Sequence, residues 1–189
     1  MPSWLSADQY AVVEAAVDRL IPPDDDGAPG ARAAGAADYI DGLLGAFLVD
    51  PPRIWAGGPY SGRHGGDAGF DTFLTLGAVE ELAWRTRIEG SQGRPEREFN
   101  GPVIGLQERY AEGLARLGDD FADVDGEEQD QRLAADPRFQ RVLYEHACEG
   151  TYGDPAYGGN RERAGWTSVA FLGDVQPRGW TDDEVITGG

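Results

Sequence analysis

The residues with the most chemical potential lie between Glu149 and Trp166, in the string EGTYGDPAYGGNRERAGW. Tyr152, Tyr157 and Trp166 are set among Gly150, Gly153, Gly158, Gly159 and Gly165, with Asp154, Asn160, Arg161 and Arg163 between them. Aromatic rings together with arginine are what a buried contact surface uses. Glycine permits close backbone approach and a positive φ. Arginine in such company can stack on a ring or grip a carboxylate through two parallel bonds. No helix or strand period runs through the stretch, so it reads as irregular. Two readings fit it: a surface that docks a partner, or a long loop tucked over the protein's own core with its tyrosines as plugs. For Arg161 and Arg163 the second reading means an intramolecular pair that holds the loop onto an acidic helix.

Several chemistries have no residues to carry them. A flavin or nicotinamide enzyme cradles a pyrophosphate on a G-x-G-x-x-G turn between strand and helix, and neither the spacing nor a preceding strand occurs. A Walker loop, a G-x-S-x-G elbow and an H-E-x-x-H pair are missing too. His64 sits on a glycine-rich loop and reads as solvated. His146 follows Val142 by one helical turn and reads as a core histidine satisfied by a neighbour. With Cys148 these two supply too few ligands for zinc. Cys148, the lone cysteine, reads as a buried, inert thiol beside Val142, Leu143 and Ala147. It forms no internal disulfide or CxxC pair and holds no iron–sulfur cluster. Asp24, Asp25 and Asp26 prefer hard cations but lack EF-hand spacing, and Glu80-Glu81 and Asp119-Asp120 read as solvated faces or turns. The expectation is a chain with no catalytic, cofactor-binding or metal-binding residue.

The elements that must position these residues are helical. Ser6 and Gln9 form a capping box flanked by Leu5 and Tyr10. From there Tyr10, Val13, Val17 and Leu20 mark one apolar face of a helix over 5–20 that Pro22-Pro23 stops. A second helix is predicted over 31–48, burying Ile40, Leu43, Leu44 and Phe47, and a third over 76–89. Pro102 sits in the first turn of a fourth whose stripe is Val103, Leu106, Tyr110, Leu114 and Leu117. A short helix follows at 127–135. Asp136 caps the last, with Pro137 just inside it and Phe139, Val142, Leu143 and Ala147 facing the core until Gly150. Residues 51–72 form a second irregular stretch, rich in glycine around Trp55, Pro59 and Tyr60. The fold class expected is all-α, a single domain over 1–189 of about six helices with long glycine- and aromatic-rich loops.

The order of residues in Glu149–Trp166 resembles the C-terminal signature of the gluconate 2-dehydrogenase subunit 3 family. The opening helix, with its Leu-Ile-Pro end and acidic Pro-Gly turn, is similar to that family's first helix, and Ala-Gly-Ala-Ala-Asp-Tyr-Ile-Asp at 34–41 to its second. The stretch from Trp55 to Gly101 is only loosely alike, and the export signal many members carry is not seen. The resemblance implies a small, non-catalytic subunit that supports folding, stability or export of a larger partner. That partner would be an FAD-containing catalytic subunit of the glucose–methanol–choline type, oxidising a sugar or alcohol; FAD would reside there, with none in this chain. A cytochrome c subunit is an optional third member. Contact residues implied are Tyr152, Tyr157, Gly158, Gly159, Asn160, Arg161 and Trp166, then Trp55 and Tyr60. Of these, Arg161 and Trp166 are the candidate hot spots whose loss would free the subunit and leave its helices intact. The alternatives are a free-standing helical ligand-binding domain and a stand-alone acid–base enzyme using His64 or His146.

Charge narrows the partners. The chain of 189 residues has 34 acidic against 16 basic side chains and a formal charge of −18, and every basic residue is arginine. Averaged over its surface it repels nucleic-acid phosphates and anionic lipid heads. No apolar run is long enough to span a membrane. With no basic, apolar or twin-arginine leader visible, it is expected to work in the cytoplasm or to leave the cell folded against a signal-bearing partner.

Overall fold

The computed structural model describes residues 4–25, 27–50, 52, 54 and 76–171. Trp55, Tyr60 and His64, with nearly all of the 51–72 stretch, lie outside the described residues. Within them the chain is all-α, with eight α-helices, more than the six read from the sequence, and no strand. The surplus comes from one split and one extra turn.

The helix α1 spans Ala7–Leu20. The Ser6 hydroxyl accepts from the Gln9 amide at 3.2 Å while the Gln9 side chain accepts from the Ser6 amide at 3.0 Å, so the predicted capping box is formed. Val12, Val13, Ala16 and Val17 are buried, with Tyr10 and Leu20 packed at the edge.

The single helix expected over 31–48 is three pieces: α2 at Ala31–Ala34, α3 at Ala36–Leu44, and a 3₁₀ turn at Ala46–Leu48. Gly35 causes the break. Its φ of 78° is left-handed and ends α2 while starting α3 in a new direction. Ile40 and Leu44 are buried as expected, and Leu43 and Phe47 pack against the core from outside.

The helix α4 spans Ala78–Glu89 and buries only Ile88 fully. The next, α5, begins at Leu106, four residues later than Pro102 suggests, and ends at Leu117. Its start is delayed because Val103 is stitched to the end of α4: the Ser91 amide donates to the Val103 carbonyl at 3.0 Å, and the Val103 amide to the Ser91 hydroxyl at 2.8 Å. Val103 is therefore exposed instead of buried, whereas Leu106, Tyr110, Leu114 and Leu117 form the stripe as predicted.

The helix α6 spans Gly126–Ala135 and α7 spans Pro137–Tyr152, capped by Asp125 and Asp136 respectively. The longest helix, α7, runs past the predicted stop at Gly150. Helices α3 and α7 form the most extensive pairing. Gly150 makes it possible, since a Cβ there would lie 2.7 Å from the Cα of Ala36. Tyr110 packs edge-on against Phe139, ring centroids 5.3 Å apart, and closes the core between α5 and α7. The signature stretch after Tyr152 is more regular than its composition suggested: short 3₁₀ turns at Pro155–Tyr157 and Arg161–Arg163 lead into α8, Ala164–Ser168.

Candidate functional site

The signature stretch folds back on the end of α7 and is braced from inside. Asn160 is fully buried at φ 46°. Its side-chain nitrogen donates to the Gly153 carbonyl at 2.8 Å, and its side-chain oxygen accepts from the Gly165 amide at 2.9 Å. Its own amide donates to the Gly150 carbonyl at 2.7 Å. Trp166 is only 6% exposed; its indole N–H donates to the Tyr152 carbonyl at 2.7 Å and its ring meets Phe171 edge-on. The glycines serve close approach: a Cβ at Gly159 would lie 2.1 Å from the Gly150 carbonyl oxygen, and one at Gly165 2.0 Å from that of Thr151.

The backbone between these anchors is strained. Glu162 and Arg163 hold φ of 55° and 58°, a region that L side chains with a bulky Cβ substituent avoid. Such residues cost on the order of 1–3 kcal/mol each and persist only where surrounding contacts over-determine them. Here those contacts are the buried Asn160 and Trp166. The result is an exposed knuckle carrying Arg161, Glu162 and Arg163.

The knuckle is pinned onto α3. The Arg161 guanidinium pairs with the Asp38 carboxylate, which also accepts the Tyr10 hydroxyl at 2.6 Å. Arg161 lies over Gly35, where a Cβ would stand 2.7 Å from its Nε. One residue on, the Tyr39 hydroxyl donates to Glu149 at 2.6 Å. Burial, then that hydrogen bond, raise the Tyr39 hydroxyl far above its ordinary range. Asp41 completes the set by accepting the Trp4 and Leu5 amides, each at 2.8 Å, fixing the entry to α1. Strings 34–41 and 149–166, distant in sequence, are thus one structural unit. Of the two readings of Arg161, the structure shows the intramolecular pair.

Beside the pinned loop lies an apolar groove of about 540 Å³. Tyr157 and Gly158 of the signature stretch line it together with Leu43, Val49, Ile54 and Trp84. Arg87 stacks on the lining ring of Trp84, 5.1 Å from its centroid, and Arg85 on the neighbouring Phe47 at 4.1 Å.

The sequence-derived contact residues thus divide. Tyr152 and Gly158 are exposed, Tyr157 is half-buried on the groove, and Arg161 is exposed but ion-paired. Gly159, Asn160 and Trp166 are buried and hold the loop together. Trp166, expected on the docking surface, sits as a plug beneath it. Gly42, Leu43 and Trp84 complete the groove and were not singled out, because nothing in a helical stripe distinguishes a groove wall from a core face. Asp38 and Tyr39 stood in the 34–41 string all along.

His146 is buried and satisfied as expected: its Nδ1 lies 2.8 Å from the Tyr110 hydroxyl, with the two rings stacked. Burial lowers its pKa. Cys148 corrects the sequence reading; it is half-buried, because position 148 falls just outside the stripe of Leu143, Ala147 and Gly150. Among the described residues no cluster of three or more His, Cys, Asp or Glu side chains is arranged for a metal ion. No described helix is long and apolar enough to cross a membrane.

What fold and site define is a small helical scaffold that presents a braced, strained loop beside an apolar groove. The chain belongs to the gluconate 2-dehydrogenase subunit 3 family, whose model matches residues 7–173. That family consists of auxiliary, non-catalytic subunits of dehydrogenase complexes. No match to the chain was found among curated proteins or among solved structures.

Proposed function

We propose that this chain is the small subunit of an FAD-dependent sugar or alcohol dehydrogenase of the glucose–methanol–choline type, and that it supports the folding, stability or export of the flavoprotein. FAD and the chemistry belong to the partner; a cytochrome c subunit is the optional third member. The docking element is the groove that Tyr157 and Gly158 line, together with the exposed Tyr152.

One observation carries this reading. The stretch with the family's signature is pinned to α3 and α7 with Glu162 and Arg163 at strained positive φ, and its Tyr157 and Gly158 line an apolar groove. A preorganised loop next to an apolar groove of this size is how a docking surface limits the ordering cost of association. Purification of the tagged chain from its native cells tests it. The expected result is a larger chain in stoichiometric amount with the absorbance of bound FAD. A flavin-free preparation, or flavin bound to this chain alone, sinks the proposal.

A further inference from the structure

Acidic residues outnumber basic ones by 34 to 16, so an arginine with no acid beside it is the exception in this chain. Eight described arginines pair with carboxylates: Arg19, Arg32, Arg85, Arg97, Arg116, Arg132, Arg141 and Arg161. Among the described residues Arg87, Arg94, Arg109 and Arg138 have no carboxylate within 4 Å, and all four are exposed. Three of them, Arg87, Arg109 and Arg138, share one face. Two shallow depressions, of about 230 and 410 Å³, meet at Ile104 and Arg109; the first adds Arg138 and Val142, the second Arg87 and Val103.

The apolar part of this face is also unusual. Val103 is 39% and Ile104 53% exposed, held out by the stitching of Val103 to Ser91 that delays α5. The acids that line it, Glu112 and Asp136, are both engaged by Arg116. Around two exposed aliphatic side chains, the linings thus hold four arginines against two acids, and both acids are taken up by Arg116.

We propose that this face docks an acidic segment bearing aliphatic side chains, supplied by the large flavoprotein subunit. The inference rests on the subunit reading above and adds a second, electrostatic contact to the groove. Arginine suits the task because its planar fork grips carboxylates bidentately and is weakly hydrated. A short acidic segment meets only the arginines of this face. An extended polyanion, whether nucleic acid or a lipid surface, meets the −18 of the whole chain.

The absence of lysine in this chain gives a direct test. Arg109→Lys keeps the charge and installs the only ε-amine. Zero-length carbodiimide coupling of the purified complex then joins residue 109 to whichever carboxylate touches it, and mass spectrometry reads the partner peptide. The expected product links residue 109 to an aspartate or glutamate of the flavin-bearing chain. Separately, Arg109→Glu with Arg138→Glu weakens association about tenfold or more and removes most of its salt dependence, with the melting curve of the small subunit unchanged.

Coupling to a second copy of this chain overturns the proposal in favour of a homo-interface. Binding of the isolated chain to phosphatidylglycerol vesicles, lost in the double variant, overturns it in favour of a lipid. Unchanged affinity in the double variant overturns it outright. If the wild type brings no flavoprotein at all, the subunit reading falls and takes this one with it. If it does and these results fail, only this contact falls.

Discussion

Arg161 reaches the Asp38 carboxylate across the bare backbone of Gly35, so a break between two helices is also the passage for a side chain more than a hundred residues away. Gly35 does two jobs at once. Its φ of 78° turns α2 into α3, and its missing Cβ leaves room for the guanidinium.

Gly35→Ala should therefore destabilise more than Arg161→Ala. The alanine suffers left-handed strain of about 1–2 kcal/mol and collides with Arg161 as well. Arg161→Ala removes a pair whose members are 51% and 39% exposed, a loss of only about 0.2–1 kcal/mol after solvent screening. In the double variant the collision disappears, so its urea-measured destabilisation should fall short of the sum. Strict additivity would show that Arg161 does not lie over Gly35 in solution.

Asn160 and Trp166 should behave as core residues. Trp166→Ala removes a buried indole and leaves the Tyr152 carbonyl without its donor, at a cost of about 3–5 kcal/mol. Asn160→Ala strands the Gly165 amide and the Gly153 carbonyl, about 1–3 kcal/mol for each unmet group. Thermal melts of the isolated chain check both. Melting points within a degree of wild type would return these residues to the docking surface.

How far the sequence led follows from which forces act locally. The Ser6–Gln9 box, the α5 stripe from Leu106 and the Asp136–Pro137 start of α7 are set by neighbours within a turn or two, and all three were legible. The breaks were not. Gly35 looks like any helical glycine until Arg161 packs on it, and Pro102 looks like a helix start until Ser91 claims Val103. In the site, the composition of 149–166 announced close backbone approach and the structure shows it at Gly159 and Gly165. Which aromatics face outward could not be read, because Trp166 and Tyr157 differ only in what the folded loop puts beside them.

His146 gives the fold an acid-side weakness. Burial lowers its pKa, outweighing the fields of Glu149 and Glu145 that raise it; Arg87 adds to the lowering. The folded state thus prefers the neutral ring, while the unfolded chain takes up a proton near the ordinary value of 6.5. The contribution to stability is whole above that pH and drains away as pH falls through it toward the lower folded value. Urea midpoints between pH 8 and 5 should decline with an inflection that His146→Gln lacks. An inflection of equal size in His146→Gln would assign it to other groups.

The groove can be closed without touching the knuckle. Gly42 lies on the exposed side of α3 and lines the groove, and a Cβ there meets only the Tyr157 carbonyl oxygen, at 3.6 Å, an ordinary contact. Gly42→Ala should therefore fit. Replacing a mid-helix glycine should raise stability by about 0.5–1 kcal/mol, with the flavoprotein still bound. Gly42→Phe starts from the same unstrained backbone but sends a ring into the space between Leu43, Tyr157 and Trp84. A folded variant with wild-type circular dichroism that no longer retains the flavin-bearing chain is the expected outcome, read by the ratio of FAD absorbance to small subunit after affinity purification. Retention of the partner by folded Gly42→Phe would place the apolar contact elsewhere on the chain. If Gly42→Ala alone released the partner, the groove would have to be narrower in the complex than its 540 Å³ in the free subunit.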